Sequence, residues 1–180
     1  MSLPDFKYHP DPVATGSIEP SDATCACCGR ARGYAYTASI YAVDEIDTLC
    51  PWCIADGSAA ARFDASFSDD CGVGACGDGV PVPPEVVDAV SRRTPGYATW
   101  QQEQWWTHCG DAGAFLGAAE RAELDAFGPQ ATAAIRDAAG LADGPRWEAL
   151  LRALDKDHGS TAYVFRCTVC GTLGGYYDCL

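Results

Sequence analysis

Apolar residues first recur at helical spacing after Pro84, where Val86, Val87 and Val90 of PEVVDAVSRR fall on one face. Proline at the first helical position and Glu85 in the first turn suit a helix start, and Pro95 bounds its end. The stretch 98–108 (ATWQQEQWWTH) predicts a second helix, with Gln101, Trp105 and His108 on one face and Trp100 and Gln104 on another. Two alanine-rich helices are expected across 116–140, divided at Gly128-Pro129. Another opens at Pro145, where Trp147, Leu150, Leu151 and Leu154 keep helical spacing until Gly159. Strand signals are fewer: 34–43 (YAYTASIYAV) is aromatic and β-branched, and 163–165 and 173–177 frame a closing hairpin. Residues 1–24, interrupted by Pro4, Pro10, Pro12 and Pro20, read as an extended arm with His9 lying over the core. Residues 54–67 read as a short helix or turn.

These elements give an α+β class: short antiparallel strands at zinc-ribbon-like knuckles, packed on a small helical layer. The expected organisation is an arm and first knuckle lobe over 1–68 and a Gly, Pro and Asp-rich loop over 69–83. A helical layer with a closing knuckle over 84–180 completes one compact unit.

Charge narrows the partners. The chain has 180 residues with 12 basic and 25 acidic side chains, a formal charge of −13, so it lacks the basic surface a phosphate backbone or an anionic membrane requires. Hydrophobic residues make up 48%, enough to build a core. No apolar run approaches the roughly 20 residues that span a bilayer. The opening Met-Ser-Leu-Pro-Asp lacks the order of a signal peptide, so a cytoplasmic location is expected.

In a reducing compartment eleven cysteines point to metal or chemistry rather than structural disulfides. Six of them form three CxxC pairs: Cys25 and Cys28, Cys50 and Cys53, Cys167 and Cys170. Two thiolates at this spacing reach one ion around a tight turn, and Gly29 and Gly171 follow two of the pairs as such a knuckle wants. The first two pairs are close enough to share one tetrahedral Zn2+, with Cys27 a spectator. The third pair needs distant ligands, and Cys109 and His108 are the best candidates, with Asp178 and Cys179 in reserve. Two Zn2+ ions are therefore expected. If only three groups bind the second, water fills its fourth position and the site becomes catalytic. Cys71 and Cys76 read as loop thiols, with a third metal site the lesser alternative.

An enzymatic alternative follows from that open position. Glu103 or Asp111 beside a zinc-bound water would act as general base in a hydrolase, with Tyr97, Trp100 and Gln101 holding a planar ligand. Against it, the chain has only three histidines and no P-loop, GxGxxG, nucleophile elbow, HExxH or deaminase HxE.

The stretches FKYHPDP, YAVDEIDTLCPWCIADGSAAARFDASF, RTPGYATWQQEQWWTHCGDAGAFLG and YVFRCTVCG resemble the CbrC family of bacterial proteins, which carry three CxxC motifs. The resemblance spans most of the chain outside 69–83 and 118–158; Cys71, Cys76 and Cys179 lie outside the family pattern. It implies a role in colicin tolerance or toxin immunity, and the charge suggests that this role is exercised by binding. An acidic protein suits a basic toxin or nuclease domain, and Asp44, Glu45 and Asp47 are the foremost contact candidates, ahead of Asp69 with Asp70 and Asp155 with Asp157.

Overall fold

The computed structural model of the protein describes residues 2–74 and 81–179. Cys76, expected in a loop, lies outside the described residues. The first strands, β1 (Ile18–Thr24) and β2 (Ala31–Tyr36), form an antiparallel ribbon in which Ile18 faces Tyr36. Helices α1 (Pro51–Ala55), α2 (Ser58–Phe63) and α3 (Pro84–Arg93) follow. The main sheet is antiparallel in the order β3-β4-β5-β6, from β3 (Thr107–His108), β4 (Asp111–Ala119), β5 (Thr161–Cys167) and β6 (Leu173–Asp178). Between β4 and β5 the chain forms α4 (Arg121–Phe127), α5 (Pro129–Ala138) and α6 (Pro145–Ala153). Helices α1, α3, α5 and α6 all begin at a proline, whose fixed φ suits the first turn and whose missing N–H is not needed there.

Strand β5 shows why an α+β arrangement results. Its alternate residues Tyr163 and Phe165 join Tyr8, Val90, Tyr97, Trp105 and Phe115 on one face. Ala162 and Val164 join Leu124, Ile135, Trp147 and Leu151 on the other. Both faces of the strand are thus covered, and its sequence is apolar at successive positions rather than at every second one. A separate core around Ile18, Leu49, Ile54 and Phe67 fills the N-terminal lobe.

Four expectations need correction. Residues 98–108 form no helix: the segment is irregular until β3. Its polar groups are claimed by different partners, with Trp105 Nε1 donating to Gly113 O (2.8 Å), Trp100 Nε1 to Thr161 Oγ1 (2.9 Å) and the Gln101 backbone N–H to Asp178 Oδ2 (3.2 Å). These long-range anchors outweigh a weak intrinsic helical preference. Second, residues 111–119 form β4, a strand that DAGAFLGAA, rich in Ala and Gly and poor in β-branched residues, does not signal; the helix expected from 116 starts only at Arg121. Small residues are required here, since a Cβ on Gly113 would lie 2.8 Å from the Trp106 ring and one on Gly174 in β6 2.1 Å from it. Third, the strand expected over 34–43 ends at Tyr36, and only an isolated bridge from Tyr41 to Ser66 continues it. Fourth, the N-terminal arm is packed in: Phe6, Tyr8, His9 and Ile18 are buried, and its last residues form β1. His9 lies over the core as expected, its ring nitrogens bonded to Pro95 O (2.8 Å) and Thr15 Oγ1 (2.6 Å). Burial holds its pKa down at about 4, so it is neutral at physiological pH.

Candidate metal centres

Two hairpins end in the same knuckle. At the tip of β1–β2, Cys25 N–H donates to Arg30 O (3.0 Å) and Gly29 N–H to Cys25 O (2.8 Å). At the tip of β5–β6, Cys167 N–H donates to Thr172 O (2.8 Å) and Gly171 N–H to Cys167 O (3.0 Å). Gly29 (φ 68°) and Gly171 (φ 76°) make the left-handed step that closes each loop. Each knuckle turns two thiols inward and needs a second pair of donors from elsewhere.

The first knuckle receives them from the start of α1. Cys50 precedes the helix and Cys53 lies within its first turn, with Cys53 N–H donating to Cys50 O (3.1 Å). The ligand atoms of Cys25, Cys28, Cys50 and Cys53 all lie within 4.8 Å of one another. Sulfur separations are 3.9 Å for Cys25–Cys53, 3.9 Å for Cys28–Cys50 and 3.6 Å for Cys50–Cys53. Four sulfurs placed tetrahedrally about 2.3 Å from one ion are spaced about 3.8 Å apart. A disulfide needs about 2.05 Å. The donor set therefore fits one tetrahedral ion and not a pair of disulfides.

The second knuckle receives His108 and Cys109 from the β3–β4 turn, and His108, Cys109, Cys167 and Cys170 likewise lie within 4.8 Å of one another. Cys109 Sγ is 3.8 Å from Cys170 Sγ. His108 Nδ1 is 3.2 Å from Cys109 Sγ and 3.4 Å from Cys170 Sγ. Shorter N–S than S–S spacing is what a site of three thiolates and one imidazole requires, because metal–nitrogen bonds are shorter. The imidazole is held flat against Trp106, ring centroids 5.3 Å apart at 7°.

The electrostatics of the crowded thiols favour cation binding. Burial drives the Cys53 thiol far above its ordinary pKa and also raises Cys50. Contact with Cys170 lifts Cys109 to about 11. Burial also opposes the Cys25 thiolate, but backbone N–H groups, including that of Cys50 at 3.2 Å, outweigh it and bring the thiol to about 7. Four crowded thiols cannot all ionise unaided; a divalent ion removes that conflict.

The remaining candidates lie elsewhere. Cys27 is buried beside Ser58 (3.6 Å) and Cys71 and Cys179 are exposed, none within either set of four. Asp178 is buried on β6 and accepts from Gln101 N–H, while Gln101 Nε2 donates to Cys179 O (2.7 Å). Tyr97 stacks on Phe115 at 3.9 Å and is only 5% exposed, so its ring face is occupied by the core. Trp100 is exposed, its indole N–H tethered to Thr161. Glu103 is 4% exposed and accepts from Ser68 Oγ (3.0 Å); burial raises its pKa to about 8. Asp111 accepts from Lys7 Nζ (2.7 Å), Tyr8 OH (2.8 Å), Thr168 Oγ1 (2.6 Å) and Ala112 N–H (2.9 Å). Burial works against its ionisation, yet these bonds win and leave its pKa at about 2. Asp44, Glu45 and Asp47 are exposed on the 37–49 loop, around a groove of about 490 Å³ also lined by Ile40, Val43 and Ile46. The signal that sequence reading missed was Cys109-Gly110, a dipeptide placed like the Asn-Gly of a two-residue hairpin turn.

An α+β protein with two separate four-donor Cys/His clusters, each closing a hairpin knuckle, is the class these observations define. The chain belongs to the uncharacterised protein family UPF0167, whose profile matches residues 3–179. It is 47% identical to the UPF0167 protein of Mycobacterium bovis over 184 residues, covering 99% of this chain and 94% of that one; the Mycobacterium tuberculosis protein gives the same values. The UPF0167 protein of Pseudomonas aeruginosa is 47% identical over 178 residues, covering 98% and 96%. No solved structure matches significantly. Both clusters can hold a metal ion, and no helix among the described residues is long and apolar enough to cross a membrane.

Proposed function

We propose that this chain is a CbrC-like cytoplasmic protein that holds two structural Zn2+ ions and acts in toxin tolerance or immunity by binding a basic toxin or nuclease domain. The observation that supports binding over turnover is that each cluster offers four protein donors, which leaves a tetrahedral ion no open position for water. Zinc is the ion favoured by four thiolates, or by three thiolates and an imidazole, and each ion would contribute on the order of 10 kcal/mol of folding-linked binding energy.

The hydrolase alternative draws little from the same geometry. Asp111 spends its oxygens on Lys7, Tyr8 and Thr168, and its low pKa makes it a poor base. Glu103 is turned into the protein toward Ser68. For the partner, charge is the support: −13 overall, with Asp44, Glu45 and Asp47 exposed together on one loop. Such a surface speeds association with a cation-rich partner in a salt-sensitive way.

Two measurements test this. Elemental analysis should give two zinc ions per chain, and Co2+ substitution should give tetrahedral thiolate spectra at both sites. Rescue of cells from a panel of basic nuclease toxins should fall when Asp44, Glu45 and Asp47 are together changed to Asn, Gln and Asn. Rescue at undiminished strength refutes the acidic-loop mechanism, and a chain that purifies folded without metal refutes the whole reading.

A further inference from the structure

The two clusters differ in a way that their shared knuckle conceals. In the first, Cys25, Cys50 and Cys53 are 1%, 1% and 3% exposed and belong to the hydrophobic core of the N-terminal lobe. In the second, Cys109 and Cys170 are exposed, His108 is half-buried, and only Cys167 is buried, outside the three main hydrophobic clusters. Only Cys28 of that set reaches the surface, so an ion in the first site would lie against packed core on three of its four ligands. One in the second would sit at the tip of the β5–β6 hairpin, with only Cys167 of its four ligands buried.

The turn that carries Cys109 adds an independent observation. His108 pairs with Asp111 across β3 and β4, so Cys109 and Gly110 are the whole of a two-residue turn. Their φ angles are +55° and +73°, the left-handed pair of a type I′ hairpin. Glycine or asparagine takes such a position readily, whereas at cysteine it is strained. Apart from Asp64, Cys109 is the only non-glycine with positive φ among the described residues. A sulfur–metal bond is the compensation the position offers, since Cys109 Sγ faces His108 Nδ1 and Cys170 Sγ.

We propose that the second centre is an exchange site: the folded protein takes up its ion from thiol- or imidazole-bearing chelators and surrenders it to them, while the first ion stays for the lifetime of the fold. This rests on the two-ion reading above. Ligand exchange at this site returns each bonding electron pair to sulfur or nitrogen. The released thiolates take protons from water, and nothing is oxidised or reduced. Loss of the ion frees Cys109 to leave the left-handed region, so occupancy also sets the order of the β3–β4 turn. The bias expected from that strain is roughly tenfold in the turn's open–closed equilibrium.

The test uses the full chain loaded with two Zn2+ and an excess of a chromophoric chelator, with circular dichroism recorded in parallel. Expected is one equivalent released quickly with the dichroism unchanged, and the second released only as the protein unfolds. The fast equivalent should vanish in Cys167→Ser and persist in Cys53→Ser; should Cys53→Ser not fold, Cys28→Ser, altering the exposed ligand of that site, serves in its place. Hydrogen exchange should show amides 107–112 losing protection when the fast ion leaves. In Cys109→Asn, whose side chain tolerates the turn, protection should be independent of metal. Release of both ions in one phase that follows unfolding overturns the proposal, as does a turn equally protected with and without the ion. A loaded chain that never holds two ions refutes the two-zinc reading instead.

Discussion

Replacing Glu103 by Gln should stabilise the protein, and increasingly so as pH rises. The carboxyl is 4% exposed, and burial moves its pKa from 4.5 to about 8. The folded state therefore retains a proton that the unfolded chain gives up above pH 4.5. Stability from this group is complete below 4.5 and declines as pH climbs to about 8, where the folded state ionises as well. A gap from 4.5 to about 8, at about 1.4 kcal/mol per unit, sets an upper bound of about 5 kcal/mol. Relaxation and water entry reduce this, so a gain of about 1–3 kcal/mol is expected at neutral pH. Glutamine keeps an acceptor for the Ser68 hydroxyl and has no charge to desolvate. The assay is denaturant unfolding of wild type and variant in matched zinc buffers at several pH values from 5 to 9. Taking differences cancels the titration of the cysteine ligands. Parallel curves, or a variant weaker at every pH, would refute the claim that a buried proton sits on Glu103.

Gly174→Ala should destabilise the protein by about 1–3 kcal/mol, since the added methyl would sit 2.1 Å from the Trp106 ring and push it off the sheet. Because that ring stacks on His108, calorimetry should also show weaker binding at the second cluster with the first unchanged. Asp111→Asn should cost about 1 kcal/mol at neutral pH by releasing Lys7 and weakening the bonds from Tyr8 and Thr168. That carboxylate's pKa is depressed from 3.8 to about 2, so its contribution exists above 3.8 and disappears as pH falls toward 2. A melting-temperature difference that persisted unchanged at the acid end would contradict this.

Local chemistry shows where the sequence was legible. Proline announced the starts of α3, α5 and α6, because its φ and missing N–H act without regard to neighbours. The knuckles were equally plain, since CxxC followed by glycine encodes a turn and two thiols within a few residues. The spacing of Cys25, Cys28, Cys50 and Cys53 pointed to one set of four, and the structure gathers those same residues, whereas His108 and Cys109 join Cys167 and Cys170 through the fold. Failures came where distant partners decided conformation. The stretch 98–108 carries a helical spacing of aromatic and amide residues, yet Thr161, Gly113 and Asp178 hold it open. Strand β4 reads as helix by composition and becomes a strand only because β3 and β5 bond to its two edges.

By itself, then, the chain determined its metal-binding vocabulary, its acidic character and the starts of three helices, all of which depend on residues a few positions apart. Only the tertiary structure decided that His108 and Cys109 reach Cys167 and Cys170, that Glu103 lies buried against Ser68, and that three ligands are buried in one cluster but only one in the other. Burial and long-range convergence are properties of packing, and the identity of a residue does not carry them until the sheet has brought its strands together.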